Sequence, residues 1–229
     1  MEITIAIILG FIPGVVWLLY FYFKDKNREP KKLIVLTFLV GFLMIIPAAI
    51  IEIGLEKFFP ALRENTLIIN IISSFLIVGL IEEAIKLLAL FKTIFKRINF
   101  DEFIDGIIYG VSVGFGFASS ENILAIWKIG ENIIIPRSFS ATLIHGLTAG
   151  IIGYYLSVYK FRDKKKIVLL KGLFLAILFH GLYNLVVTYL TAESLWILIG
   201  FMVLVYLFLF IKIRKAKYID NSQLVVRNS

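Results

Sequence analysis

An all-α, polytopic membrane bundle of about seven transmembrane helices, N-terminus outside and C-terminus cytoplasmic, is the fold this sequence predicts. Three observations lead there. First, the 229 residues are 60% hydrophobic and 17% charged, with a mean hydropathy of +0.93, a balance that belongs to integral membrane proteins. Second, seven apolar runs (3–23, 33–53, 68–91, 104–126, 138–159, 167–190 and 195–213) each have about the length that ~30 Å of hydrocarbon demands of an α-helix. None shows the two-residue alternation of a barrel strand. Third, eighteen Lys and Arg follow runs one, three, five and seven, whereas only Lys57, Arg63, Lys128 and Arg137 lie on the other side. The positive-inside rule then places the N-terminus outside. With the basic residues explained as topology determinants, the net charge of +8 does not call for a nucleic-acid partner.

The first run follows Met1-Glu2 rather than a basic segment and lacks a small-residue cleavage site, so it reads as an uncleaved span. The third begins softly, at Asn65, Thr66, Asn70, Ser73 and Ser74, and then carries Glu82, Glu83 and Lys86. A charged residue at the centre of a membrane helix costs ~2.5–3.5 kcal/mol on insertion scales, so this group demands partners inside the bundle. The fourth run supplies Glu121 and a small-residue stripe, Gly106, Gly110, Gly114 and Ala118, of the kind that lets membrane helices approach closely. Asp105 stands at its start, where an acid suits the helix dipole. The fifth supplies His145, and the sixth His180 and Asn184. Residues 214–229 read as a polar, frayed cytoplasmic tail, leaving 1–213 as one transmembrane domain.

Helical spacing orders these groups further. Glu82 with Lys86, Phe117 with Glu121, and His180 with Asn184 are i,i+4 pairs, so each pair shares a face. Four successive spans therefore bring polar groups to one band. Lys86 is expected to neutralise a glutamate or to snorkel to the headgroups, and Tyr109 and Tyr154 to pack. Without cysteine, any metal would need His and carboxylate ligands, and there are only two His.

These residues resemble the PrsW-type intramembrane proteases, which are related to the CAAX prenyl endopeptidases. The resemblance rests on Gly10-Phe11-Ile12-Pro13-Gly14 running into Tyr20-Phe21-Tyr22-Phe23-Lys24-Asp25, on Glu82-Glu83-Ala84-Ile85-Lys86, and on Asp105-Gly106-Ile107-Ile108-Tyr109-Gly110 leading to Gly116-Phe117-Ala118-Ser119-Ser120-Glu121-Asn122. It continues through His145 and Gly153-Tyr154-Tyr155-Leu156 to His180-Gly181-Leu182-Tyr183-Asn184. Asn184 departs from the Asp usual in PrsW-type proteins, which leaves a hydrogen-bonding role open there.

The resemblance implies a multi-pass cell-membrane protease, in a prokaryotic plasma membrane, that hydrolyses a peptide bond of a single-span membrane substrate, such as an anti-sigma factor cut extracytoplasmically. In that reading Glu82, Glu83, Glu121 and His180 are catalytic, one of the Glu82/Glu83 pair being the base, with His145, Asn184 and Lys86 supporting. The cofactor is either none or one divalent metal such as zinc, held by Glu121, His145 and His180. Two rivals accompany it: a proton- or ion-coupled transporter using the intramembrane Glu and His, and a non-catalytic scaffold on the same fold.

Overall fold

The computed structural model describes residues 3–227, and seven membrane-length helical spans follow the seven apolar runs, with no strand among the described residues. Span one is α1, Ile3–Lys24. The second is broken at Met44 into α2, Lys31–Leu43, and α3, Ile45–Phe58. Pro47 explains the break: it has no N–H for the Leu43 carbonyl, and its ring crowds that carbonyl. Span three runs Leu67–Thr93 as α4, Leu67–Ile72, a π-helical stretch, Ser73–Gly79, and α5, Leu80–Thr93. The polar start expected there has a use, since the Thr66 hydroxyl accepts the Ile69 N–H and caps α4.

Span four is a single helix, α6, Phe103–Ile129. Its first turn is closed by a capping box in which Asp105 Oδ2 accepts the Glu102 N–H at 2.6 Å. The fifth span is preceded by a separate short helix, α7, Ile134–Phe139, so that α8 starts at Ala141 and ends at Phe161. Two long helices complete the chain, α9, Lys166–Thr188, and α10, Leu195–Arg227.

The glycine stripe fixes the centre. A Cβ on Gly106 would collide with the Gly153 carbonyl, one on Gly110 with that of Ala149, and one on Gly114 with that of His145. Helices α6 and α8 thus touch backbone to backbone over three turns, and both are buried along nearly their whole lengths. Gly14 gives α1 the same close approach to α6, and Gly41 and Gly116 do so between α2 and α6. The remaining spans present Ile, Leu, Val and Phe outward, as a lipid-facing ring should.

The expected tail is the main departure. Residues 214–227 continue α10 as helix, and Ala216 and Asp220 are buried against the bundle. The reason is capping: Asp220 accepts the Phe103 and Ile104 N–H groups at 2.8 and 3.1 Å, and Lys217 Nζ donates to the Lys24 carbonyl. One face of the extension therefore satisfies the ends of two other helices. At that end Tyr109, fully buried, also does more than pack, because its hydroxyl donates to Glu29, whose carboxyl burial raises above the ordinary range.

Candidate active site

The π-helical turn before α5 is wider than an α-turn and shifts the rotational phase of everything after it. Immediately beyond, Glu82 and Glu83 both point inward, 2% and 0% exposed, and Lys86 one turn later is 0% exposed. Lys86 therefore does not snorkel; it neutralises. Its ammonium lies 2.7 Å from Glu83 Oε1 and 3.5 Å from Glu82 Oε2, and it faces the Phe117 ring at 4.6 Å.

Glu83 is the hub. Its Oε1 accepts from Lys86, from His180 Nδ1 at 2.7 Å and from Thr148 Oγ1 at 3.1 Å, tying α5 to α8 and α9. Glu82 differs: its Oε2 is buried without a hydrogen-bond partner, while His145 Nδ1 and His180 Nε2 approach to 3.6 and 3.8 Å. The adjacent carboxylates are thus held differently: Glu83 Oε1 takes three donors while its Oε2 takes none, and Glu82 Oε2 has only the longer ion pair to Lys86.

Hydrogen-bond chemistry fixes the histidine tautomers. The Lys86 ammonium can only donate, and it lies 2.8 Å from His145 Nδ1, so that atom carries a lone pair. Nε2 of the same ring then bears the proton and donates to Glu121 Oε2 at 2.9 Å. At His180, Nδ1–H donates to Glu83, and Nε2 lies 3.8 Å from Glu82 Oε2. Each imidazole is backed by a carboxylate on its far side, and on the near side both rings approach Glu82, with His145 Nδ1 also taking the Lys86 ammonium.

Such a group could hold a metal ion. Glu82, His145 and His180 bring their ligand atoms within 4.8 Å of one another, all three buried. Tetrahedral zinc with Zn–N and Zn–O bonds of about 2.0–2.2 Å spaces its ligand atoms roughly 3.4 Å apart, close to the 3.6 and 3.8 Å seen from Glu82 Oε2. Carboxylates behind metal-binding imidazoles are the usual outer support. The residues present fit a zinc-type ion, and the carboxylate that the structure groups with the two histidines is Glu82, whereas the resemblance read from the sequence implies Glu121. Glu121 stands behind His145, where its Oε2 also takes Arg137 Nη2 at 2.8 Å.

Asn184 is not brought to this cluster. It shares the His180 face of α9, but one turn farther on it meets the start of span three and lines a cavity of about 340 Å³ with Asn70, Ser73 and Ser74. Several neighbours of the site were not anticipated. Arg137, which the sequence counts as a loop charge, clamps Glu121 and Asn122, and Asn122 reaches Thr142. Glu52 on α3 keeps a buried Oε1 without a partner, within electrostatic reach of Glu121 and Lys86. Its signal was a lone acid in the apolar stretch Ala48–Leu55.

Beside Arg137 opens a cavity of about 750 Å³, between α1, α7, α8, α9 and α10. Its wall is mostly apolar. Arg137 connects it through Glu121 to His145, and Tyr183, three residues after His180 on α9, forms part of its lining.

Comparison with known proteins agrees with this geometry. A family model described as PrsW family intramembrane metalloprotease matches residues 29–213. The chain is 35% identical over 219 residues to the protease PrsW of Bacillus subtilis (strain 168), covering 93% of this chain and 96% of that one. To the protease PrsW of Shouchella clausii it is 32% identical, covering 92% and 96%, and to that of Clostridioides difficile 30%, covering 95% and 93%. No solved structure matches it. Spans two to six, which include every helix that builds the Glu–His cluster, lie wholly within the matched segment, as does all but the end of α10, and the chain belongs to the PrsW family of intramembrane proteases.

Proposed function

We propose that this protease resides in the cell membrane and cuts a single-span membrane protein, of the anti-sigma-factor kind, on the extracytoplasmic side. The observation that carries the reading is the buried Glu82 Oε2, without a hydrogen-bond partner between two imidazoles, linked through Glu121 and Arg137 to an apolar cleft. The cleft suits an apolar helix end, and the eighteen-to-four distribution of Lys and Arg puts its Arg137 side outside.

In this reading the Glu82 carboxylate receives the proton of the attacking water through its other oxygen, since Oε2 is the atom aimed at the two histidines. Glu83 and Glu121 act through the histidines they hold, fixing each ring so that its lone pair cannot turn away. Lys86 supplies a buried cationic charge beside Glu82 that offsets negative charge developing on the scissile carbonyl oxygen. Glu82, His145 and His180 would hold a divalent ion such as zinc, which when bound polarises a carbonyl and makes water more acidic.

The test is purified protein in liposomes with an anti-sigma-factor substrate, with and without a chelator, and the cut mapped by mass spectrometry. The expected product is cut within the outer half of the substrate's span, and chelation should suppress it, with recovery on adding zinc. A cut on the cytoplasmic side would overturn the orientation, and full activity in chelator would remove the ion.

A further inference from the structure

Far from the Glu–His cluster, at the lysine-rich end of the bundle, a cavity of about 380 Å³ lies between α8, α9 and α10. Four cations converge on it, one or more from each helix: Arg162, Lys171, Lys212 and Lys215. Facing them is one carboxylate, Asp163, whose Oδ1 already accepts the Lys165 backbone N–H. Among the described residues none of the four cations forms an ion pair. Like charges gathered in this way repel, and an anion among them would relieve that repulsion.

We propose that this cavity binds the phosphate head group of an anionic phospholipid of the adjoining leaflet. Basic pockets between membrane helices at the cytoplasmic side have the chemistry for such head groups. The cavity is prepared for it: Lys212 is held over Phe208 at 4.8 Å, Tyr154 at 5.4 Å and Tyr155 at 5.6 Å, so its ammonium is fixed at the mouth before any ligand arrives. A lipid is favoured over free phosphate because the same helices carry exposed apolar side chains next to the cations, Phe174 beyond Lys171 and Ile211 beside Lys212, where acyl chains would lie.

The experiment is native mass spectrometry of the full-length protein offered equimolar phosphatidylglycerol and phosphatidylcholine. The parent should retain phosphatidylglycerol preferentially, and Lys171→Gln/Lys212→Gln/Lys215→Gln should lower that preference at least about tenfold, given the attraction of each near-surface lysine. Lys164→Gln/Lys165→Gln/Lys166→Gln, which removes the same charge from the neighbouring loop, should leave it intact. Equal losses in the two triple variants, or no preference in the parent, would overturn the site. Excess inorganic phosphate should not displace the lipid; displacement would show a site for the free anion instead. If the cavity triple fails to fold, Lys215→Gln alone, at an exposed position, must still lower the preference several-fold.

Discussion

Glu82→Gln and His180→Ala should each lower the rate of substrate cleavage by about 10²–10⁴-fold, the range associated with loss of a positioned acid–base group. Neither change adds charge to the bilayer, and Gln keeps the volume of Glu, so protein level and substrate capture should stay near parental. Glu83→Gln should match them for a different reason. Its Oε1 holds Lys86, Thr148 and His180 at once, and an amide can replace only part of that set. Initial rates in liposomes, beside pull-down of uncleaved substrate, check the split between chemistry and binding. Loss of capture along with cleavage would mean that the cluster only supports the fold.

Lys86→Met should have the largest effect on stability. Its ammonium is fully buried between two buried carboxylates, and breaking a buried ion pair by removing one partner costs about 3–5 kcal/mol, because the remaining charge stays unpaired. For a chain of this size that lowers the thermal midpoint by on the order of 10 °C. The companion variant is Lys86→Met/Glu83→Gln, which removes the orphaned carboxylate as well and should recover part of the midpoint. Thermal unfolding of the three proteins in detergent reads this directly. No recovery in the double variant would mean that Lys86 stabilises by packing, through its contact with Phe117, and not by charge.

Much of this arrangement was legible in the sequence because membranes make charge conspicuous. Glu82, Glu83, Lys86, His145 and His180 stand out in apolar runs, and the structure gathers all five, contributed by α5, α8 and α9, in one buried cluster. The glycine stripe of α6 predicted close packing for the same reason, since little else rewards a glycine every fourth residue. Periodicity gives the face of a helix but not which stretch of its neighbour that face meets. For that reason Asn184, on the correct face of α9, meets Ser73 and Ser74 instead of the glutamates. The same limit hid the exchange of Glu82 for Glu121 beside the histidines, which depends on how α5 and α6 sit against α8. Arg137 and the α10 extension were obscured by the rule that explains most basic residues here: positive charge near a span end was credited to topology, whereas Arg137 clamps Glu121 and Lys217 caps α1.

In the proposed mechanism the groups around Glu82 act as one unit on one water. The most direct test is the cleavage rate of the Glu82→Gln/His180→Ala double variant in liposomes, set beside the two single variants. Groups that fail as a unit are strongly non-additive, so the double variant should be no slower than the worse single one, within a few-fold. Near-parental cleavage by the double variant, or a loss equal to the product of the two single losses, would contradict it.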